Sequence, residues 1–104
     1  MEQIIGLQVD PADNVATVFS NDTGAGTVVT VMDRSGGSRD LTARQAIPYG
    51  HKIALSDMAP GQAIVKYGQV IGQATESIAA GDYVHIHNLE SRRGRGDWAK
   101  EAEK

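Results

Sequence analysis

The chain has 104 residues, a formal net charge of −3 and a pI near 5.5, which leaves room for one domain with a modest core. The acidic balance offers no long-range attraction to phosphate backbones or anionic lipid, so nucleic acid and membrane are not expected as partners. Hydrophobic residues at 40% and charged residues at 22% fit a folded globular chain, and the absence of cysteine removes disulfides and thiolate metal sites.

Taken in chain order, Met1-Glu2-Gln3-Ile4-Ile5-Gly6 lacks the basic start and apolar run of a secretory signal, and a cytoplasmic location is expected. Ala16-Thr17-Val18-Phe19 and Thr27-Val28-Val29-Thr30-Val31 are rich in β-branched and aromatic residues and read as strands. Asp33 to Asp40 is polar and carries two glycines, as a mobile loop or hairpin tip does. Leu41 to Gln45 and Ser56 to Ala59 offer at most a helical turn each. Ala63-Ile64-Val65-Lys66-Tyr67 and Tyr83-Val84-His85-Ile86-His87 are again strand-like. Gly68-Gln69-Val70-Ile71-Gly72 is placed between strands and, with no helix after it, is no dinucleotide fingerprint. The expected fold is therefore mainly β with little helix. The body is placed at 1–90 and a charged tail or linker at 91–104, where Arg92, Arg93 and Arg95 are read as solvated.

One local pattern recurs. Ile47-Pro48-Tyr49-Gly50, Met58-Ala59-Pro60-Gly61 and Ile78-Ala79-Ala80-Gly81 each place an apolar residue three positions before a glycine and lead into a strand-like run. The physical reading is a buried anchor, a turn whose glycine takes positive φ, and a strand that re-enters the core. Thr23-Gly24-Ala25-Gly26 is a weaker fourth copy without the apolar anchor.

Few residues suggest chemistry. His85 and His87, two apart in a strand-like run, would project from one face. Two imidazoles there could ligate a divalent metal or move protons near neutral pH, although such a pair is more often simply solvated, and no third ligand is evident. His51 follows a Pro-Tyr-Gly turn and should lie near a surface loop. Lys52 and Lys66 read as side chains snorkelling from an outer face. No nucleophile elbow, phosphate loop or His-Glu-x-x-His motif is present.

Ile47-Pro48-Tyr49-Gly50-His51-Lys52-Ile53-Ala54-Leu55, then Ile64 to Ala74, then Gly81-Asp82-Tyr83-Val84-His85-Ile86-His87-Asn88, together with Asp13-Asn14-Val15-Ala16, resemble the SAF-type domain of the altronate and galactarate dehydratase family. The resemblance covers about residues 4 to 90, and the small subunit of sulfolactate sulfo-lyase is similar. It implies a β-clip fold, fused ahead of a larger catalytic domain or standing as a small subunit. It also implies a hydro-lyase acting on a sugar acid, altronate- or galactarate-like. His51, His85, His87 and Asn88 match positions within the family's motifs and are the candidates for an active site shared with a large partner, with His85 and His87 as candidate metal ligands. A divalent metal, iron(II) by family expectation, would be bound mainly by that partner, and the isolated chain is expected to be inactive. The competing readings are a non-catalytic carbohydrate- or partner-binding β module and the small subunit of a sulfolactate sulfo-lyase.

Overall fold

The computed structural model describes residues 4–91. Nine strands form two sheets, and no helix occurs among the described residues. The larger sheet is built from β1 (Ile4–Gln8), β2 (Val15–Val18), β3 (Val28–Asp33), β4 (Ser38–Thr42), β5 (Lys52–Ala54) and β8 (Tyr83–Val84), in the order β4-β3-β1-β2-β5-β8. Its pairs are antiparallel except β1 with β3, which run parallel. The smaller sheet orders β6 (Ala63–Lys66), β7 (Gln69–Ala74) and β9 (Leu89–Ser91) as β6-β7-β9. This is the mainly β, curled-sheet architecture of a small β-clip.

The low helix content expected is met: Leu41 lies in β4, and neither it nor Ser56 to Ala59 starts a helix, because β-pairing and turn bonds claim the backbone. Two local expectations are corrected. Gln69 to Gly72 is not a connection: it opens β7, reached through a two-residue turn in which Tyr67 (φ 57°) and Gly68 (φ 75°) both take positive φ, as a type I′ hairpin requires. The turn is also held from outside, since Asp13 Oδ1 accepts from Gly68 N at 2.8 Å. The strand expected over Tyr83 to His87 stops at Val84. Residues 33–40 do form a hairpin, whose tip is closed by Asp33 accepting from Ser35 N and Gly37 N. The Arg92, Arg93 and Arg95 cluster and the tail after Ser91 lie outside the described residues.

The recurring turn organises the molecule. In each copy the residue after the glycine donates its N–H back three positions: Thr27 to Gly24 O, His51 to Pro48 O, Gln62 to Ala59 O and Asp82 to Ala79 O, all at 2.9 to 3.1 Å. Gly26, Gly50, Gly61 and Gly81 all have φ between 82° and 93°, the value that the third position of a type II turn demands. Each glycine and its successor then face a single residue across the ladder, respectively Ala43, Val18, Ala74 and Ala54. Two residues opposing one, with the glycine in left-handed conformation, is a β-bulge that bends the strand sharply. The anchors Thr23, Ile47, Met58 and Ile78 are all buried. They also join in pairs, Ile47 N to Thr23 O and Met58 reciprocally with Ile78.

These bends create two cores rather than one. Val15, Ala54, Met58, Ile64, Ala74, Ile78, Val84 and Leu89 form the first. Ala16, Val18, Val29, Val31, Ala43, Ile47, Ile53 and Leu55 form the second. Alternation along β2 and β5 feeds both: Val15 and Ala54 enter the first, Ala16 and Ile53 the second. A strand buried on both faces reads as a continuous apolar run rather than an alternation. Val15 to Val18 is buried at every position.

Candidate functional site

The turn copies at Ile47 and Ile78 bring the site together. In three copies the residue after the glycine caps the turn with its side chain: Thr27 Oγ1 accepts from Gly24 N, Gln62 Oε1 from Ala59 N and Asp82 Oδ2 from Ala79 N, at 2.7 to 3.1 Å. The copy at Pro48 differs. Proline has no N–H to be capped, so the side chain at this position, His51, is free to turn elsewhere. It turns to Tyr83, whose hydroxyl lies 2.9 Å from His51 Nδ1.

The ladder explains how residues 32 apart meet. Lys52 pairs with Val84 and Ile53 with Tyr83, and one step further along the same register sets His51 opposite His85. Their ring centroids are 4.7 Å apart. Tyr83 stacks on His85 with centroids 5.7 Å apart and planes within 8°, and His87 tilts against Tyr83 at 5.3 Å. All three histidines thus gather around one tyrosine. Lys52 and Val84, on the alternate positions, belong to the other face, where Val84 enters the first core.

His85 and His87 do not reach this place through a pleat. Residues 85–88 form a turn, in which Asn88 N and Leu89 N both donate to His85 O at 3.0 and 2.8 Å. Asn88 holds it from within. Its side chain is buried, Oδ1 accepts from His85 N at 3.0 Å, and Nδ2 donates to Tyr83 O at 2.9 Å. Asn88 therefore shapes the loop that carries the histidines, and its amide is engaged by the backbone. Gln45 supports the other side, accepting from Tyr83 N at 2.7 Å while donating to Asp82 Oδ1 at 2.9 Å.

Burial, and then electrostatic repulsion that His51, Lys52 and His87 exert on its protonated form, hold His85 below its ordinary value of 6.5. Its imidazole is accordingly neutral at pH 7, with a lone pair available. Burial, and next the like charge of Lys66, also pulls Lys52 below its ordinary 10.5. A metal fits the described residues poorly. Among the described residues there is no group of three or more His, Asp or Glu placed to hold one, and Nδ1 of His51 is occupied by Tyr83. Among the described residues His85 and His87 acquire no third ligand. The shallow groove lined by Arg44, Asp57, Met58, Gln62 and Ile78 includes none of the histidines.

Tyr83 is the residue that sequence reasoning overlooked. It sits within the run containing His85 and His87, but its meeting with His51 depends on the β5–β8 register, which no local spacing reveals.

The chain matches the model of the altronate/galactarate dehydratase SAF domain over residues 4–92, and it belongs to that family. Among its relatives, the (2R)-sulfolactate sulfo-lyase subunit alpha of Chromohalobacter salexigens is 36% identical over 86 residues, covering 81% of this chain and 90% of that protein. The altronate dehydratase of Escherichia coli is 42% identical over 85 residues, 82% of this chain but only 16% of the enzyme. The galactarate dehydratase (L-threo-forming) of the same organism is 35% identical over 78 residues, 14% of its length. The chain thus spans nearly all of one relative and about a sixth of the other two.

Proposed function

We propose that this chain is the SAF-type component, small subunit or N-terminal domain, of a lyase that eliminates water from a sugar acid of the altronate or galactarate kind, presenting its histidine cluster to an active site completed by a larger catalytic partner. The observation that carries this reading is the convergence of His51, His85 and His87 around Tyr83. Elimination beside a carboxylate needs a base for the α-proton, a donor for the resulting oxyanion and an acid for the leaving group. Neutral imidazoles are suited to these tasks near pH 7, and His85 is kept neutral by its surroundings. Asn88 serves by holding the histidine loop rather than by touching substrate. A divalent metal such as iron(II) is assigned to the larger partner, and no step assigned to this chain passes through it.

A second reading has its own support: alignment over 90% of a sulfolactate sulfo-lyase alpha subunit favours sulfite as the leaving group. One experiment separates the two. The full chain is assembled with a family-matched large chain and supplied in turn with altronate, galactarate and (2R)-sulfolactate. Dehydration of a sugar acid supports the first reading, and sulfite release the second. A stable assembly that eliminates from none of them overturns both.

A further inference from the structure

The contact between Tyr83 and His51 raises a question of direction, because a hydroxyl can donate to Nδ1 or accept from it. Three features of the structure bear on it. Tyr83 is half-buried and packs against the second core, so its ring is held rather than free to swing. Its hydroxyl has no hydrogen-bond partner among the described residues other than His51 Nδ1. His51 Nε2 has no partner within the described residues, yet it is not sealed from solvent.

For a neutral imidazole the stronger arrangement has the phenol donate, since a phenol is the more acidic group and an imidazole nitrogen the better acceptor. With Nδ1 accepting, the ring proton must reside on Nε2. The ring then offers an N–H to whatever enters the site, and its only lone pair is already engaged. Such a histidine cannot accept the α-proton. A neutral histidine used as a donor to an oxyanion is an established catalytic device, and the elimination proposed above generates a carboxylate-enolate that needs one.

We propose that Tyr83 is a positioning residue that fixes neutral His51 in its Nε2–H tautomer, so that His51 serves as a hydrogen-bond donor to the substrate oxyanion and not as the base. The role toward substrate rests on the lyase reading, whereas the tautomer does not. Proton abstraction then belongs to another group, of which His85 is the nearest imidazole.

The test has two arms. In the full chain labelled with ¹⁵N at histidine and held above its imidazole titration, long-range ¹H–¹⁵N correlation should show His51 Nδ1 unprotonated and Nε2 protonated. A protonated Nδ1 overturns the proposal, whatever the activity. In the assembled enzyme, Tyr83→Phe should lower kcat roughly ten-fold with KM little changed, the scale seen when the orienting partner of a functional histidine is removed. His51→Gln, whose amide N–H replaces Nε2–H, should retain roughly ten-fold more turnover than His51→Ala, because a lost donor is restored and a lost base is not. Equal activity of the Gln and Ala variants refutes the donor role. Absence of elimination in the wild-type assembly would instead defeat the lyase reading and leave the tautomer result standing.

Discussion

Asn88 and His85 behave differently as single residues although they stand three positions apart. Asn88 is buried and both ends of its amide are paired with backbone groups. Asn88→Ala leaves the His85 N–H and the Tyr83 carbonyl without these partners, so urea unfolding should register a loss of about 2 kcal/mol, and on the proposed lyase reading turnover of the assembly should fall because the histidine loop is released. His85 titrates below its ordinary value because burial and nearby positive charge disfavour the imidazolium. The unfolded chain then binds this proton at higher pH than the folded one. By linkage, the stability this neutral imidazole contributes is present above its unfolded value of 6.5 and is lost as pH falls through the lowered folded value. Urea midpoints measured from pH 7.5 down to pH 5 should decline, and His85→Gln should flatten that decline. An unchanged slope in the variant would show that His85 is not its source.

At the scale of elements, the four bulged turns determine where strands bend, and their glycines are not equivalent. Gly61 has positive φ with open space where a Cβ would stand, whereas at Gly81 the same φ is combined with a Cβ position that collides with the Thr42 carbonyl oxygen. Gly61→Ala should therefore cost about 1 to 2 kcal/mol, the penalty of the left-handed conformation alone. Gly81→Ala should exceed about 4 kcal/mol or fail to fold, since backbone cannot yield as a side chain does. Similar urea midpoints for the two variants would contradict the close approach at Gly81. The turns were legible beforehand because glycine three positions after an anchor has a local physical meaning, and even the weaker copy at Thr23 proved to be one. The strands over 16–19, 27–31 and 63–67 were legible from β-branched content. The end of the site strand was not. Nothing in the composition of Tyr83 to His87 reveals that Asn88 will fold back and accept from His85 N, so the sequence reads as a continuing strand where the structure has a turn. The gathering of His51 with Tyr83 and His85 was hidden for a further reason: it is a cross-strand meeting, set by long-range register rather than by spacing. Two cores in place of one were also missed, because β2 and β5 serve both faces.

For the whole molecule, the described body positions three histidines outside its groove at Arg44, Asp57, Met58, Gln62 and Ile78, and on the proposed reading the full chain by itself should show no sugar-acid dehydration, checked by product formation with and without the large partner. A stable assembly should bury on the order of 1,000 Å² or more, with the histidine loop at the shared site. Turnover by the highly purified chain alone would overturn that division of labour. The central claim, that this chain lends its histidines to the partner's chemistry, is tested most directly by paired kinetics and urea unfolding of His51→Ala, His85→Ala and His87→Ala in the assembled enzyme. The expected result is a fall in turnover of roughly 10²-fold for the variants that remove a group acting on substrate, with stability at pH 7.5 within about 0.5 kcal/mol of wild type, as for partly exposed side chains. Near wild-type turnover in all three variants would contradict the claim and reduce the chain to a support for its partner's fold.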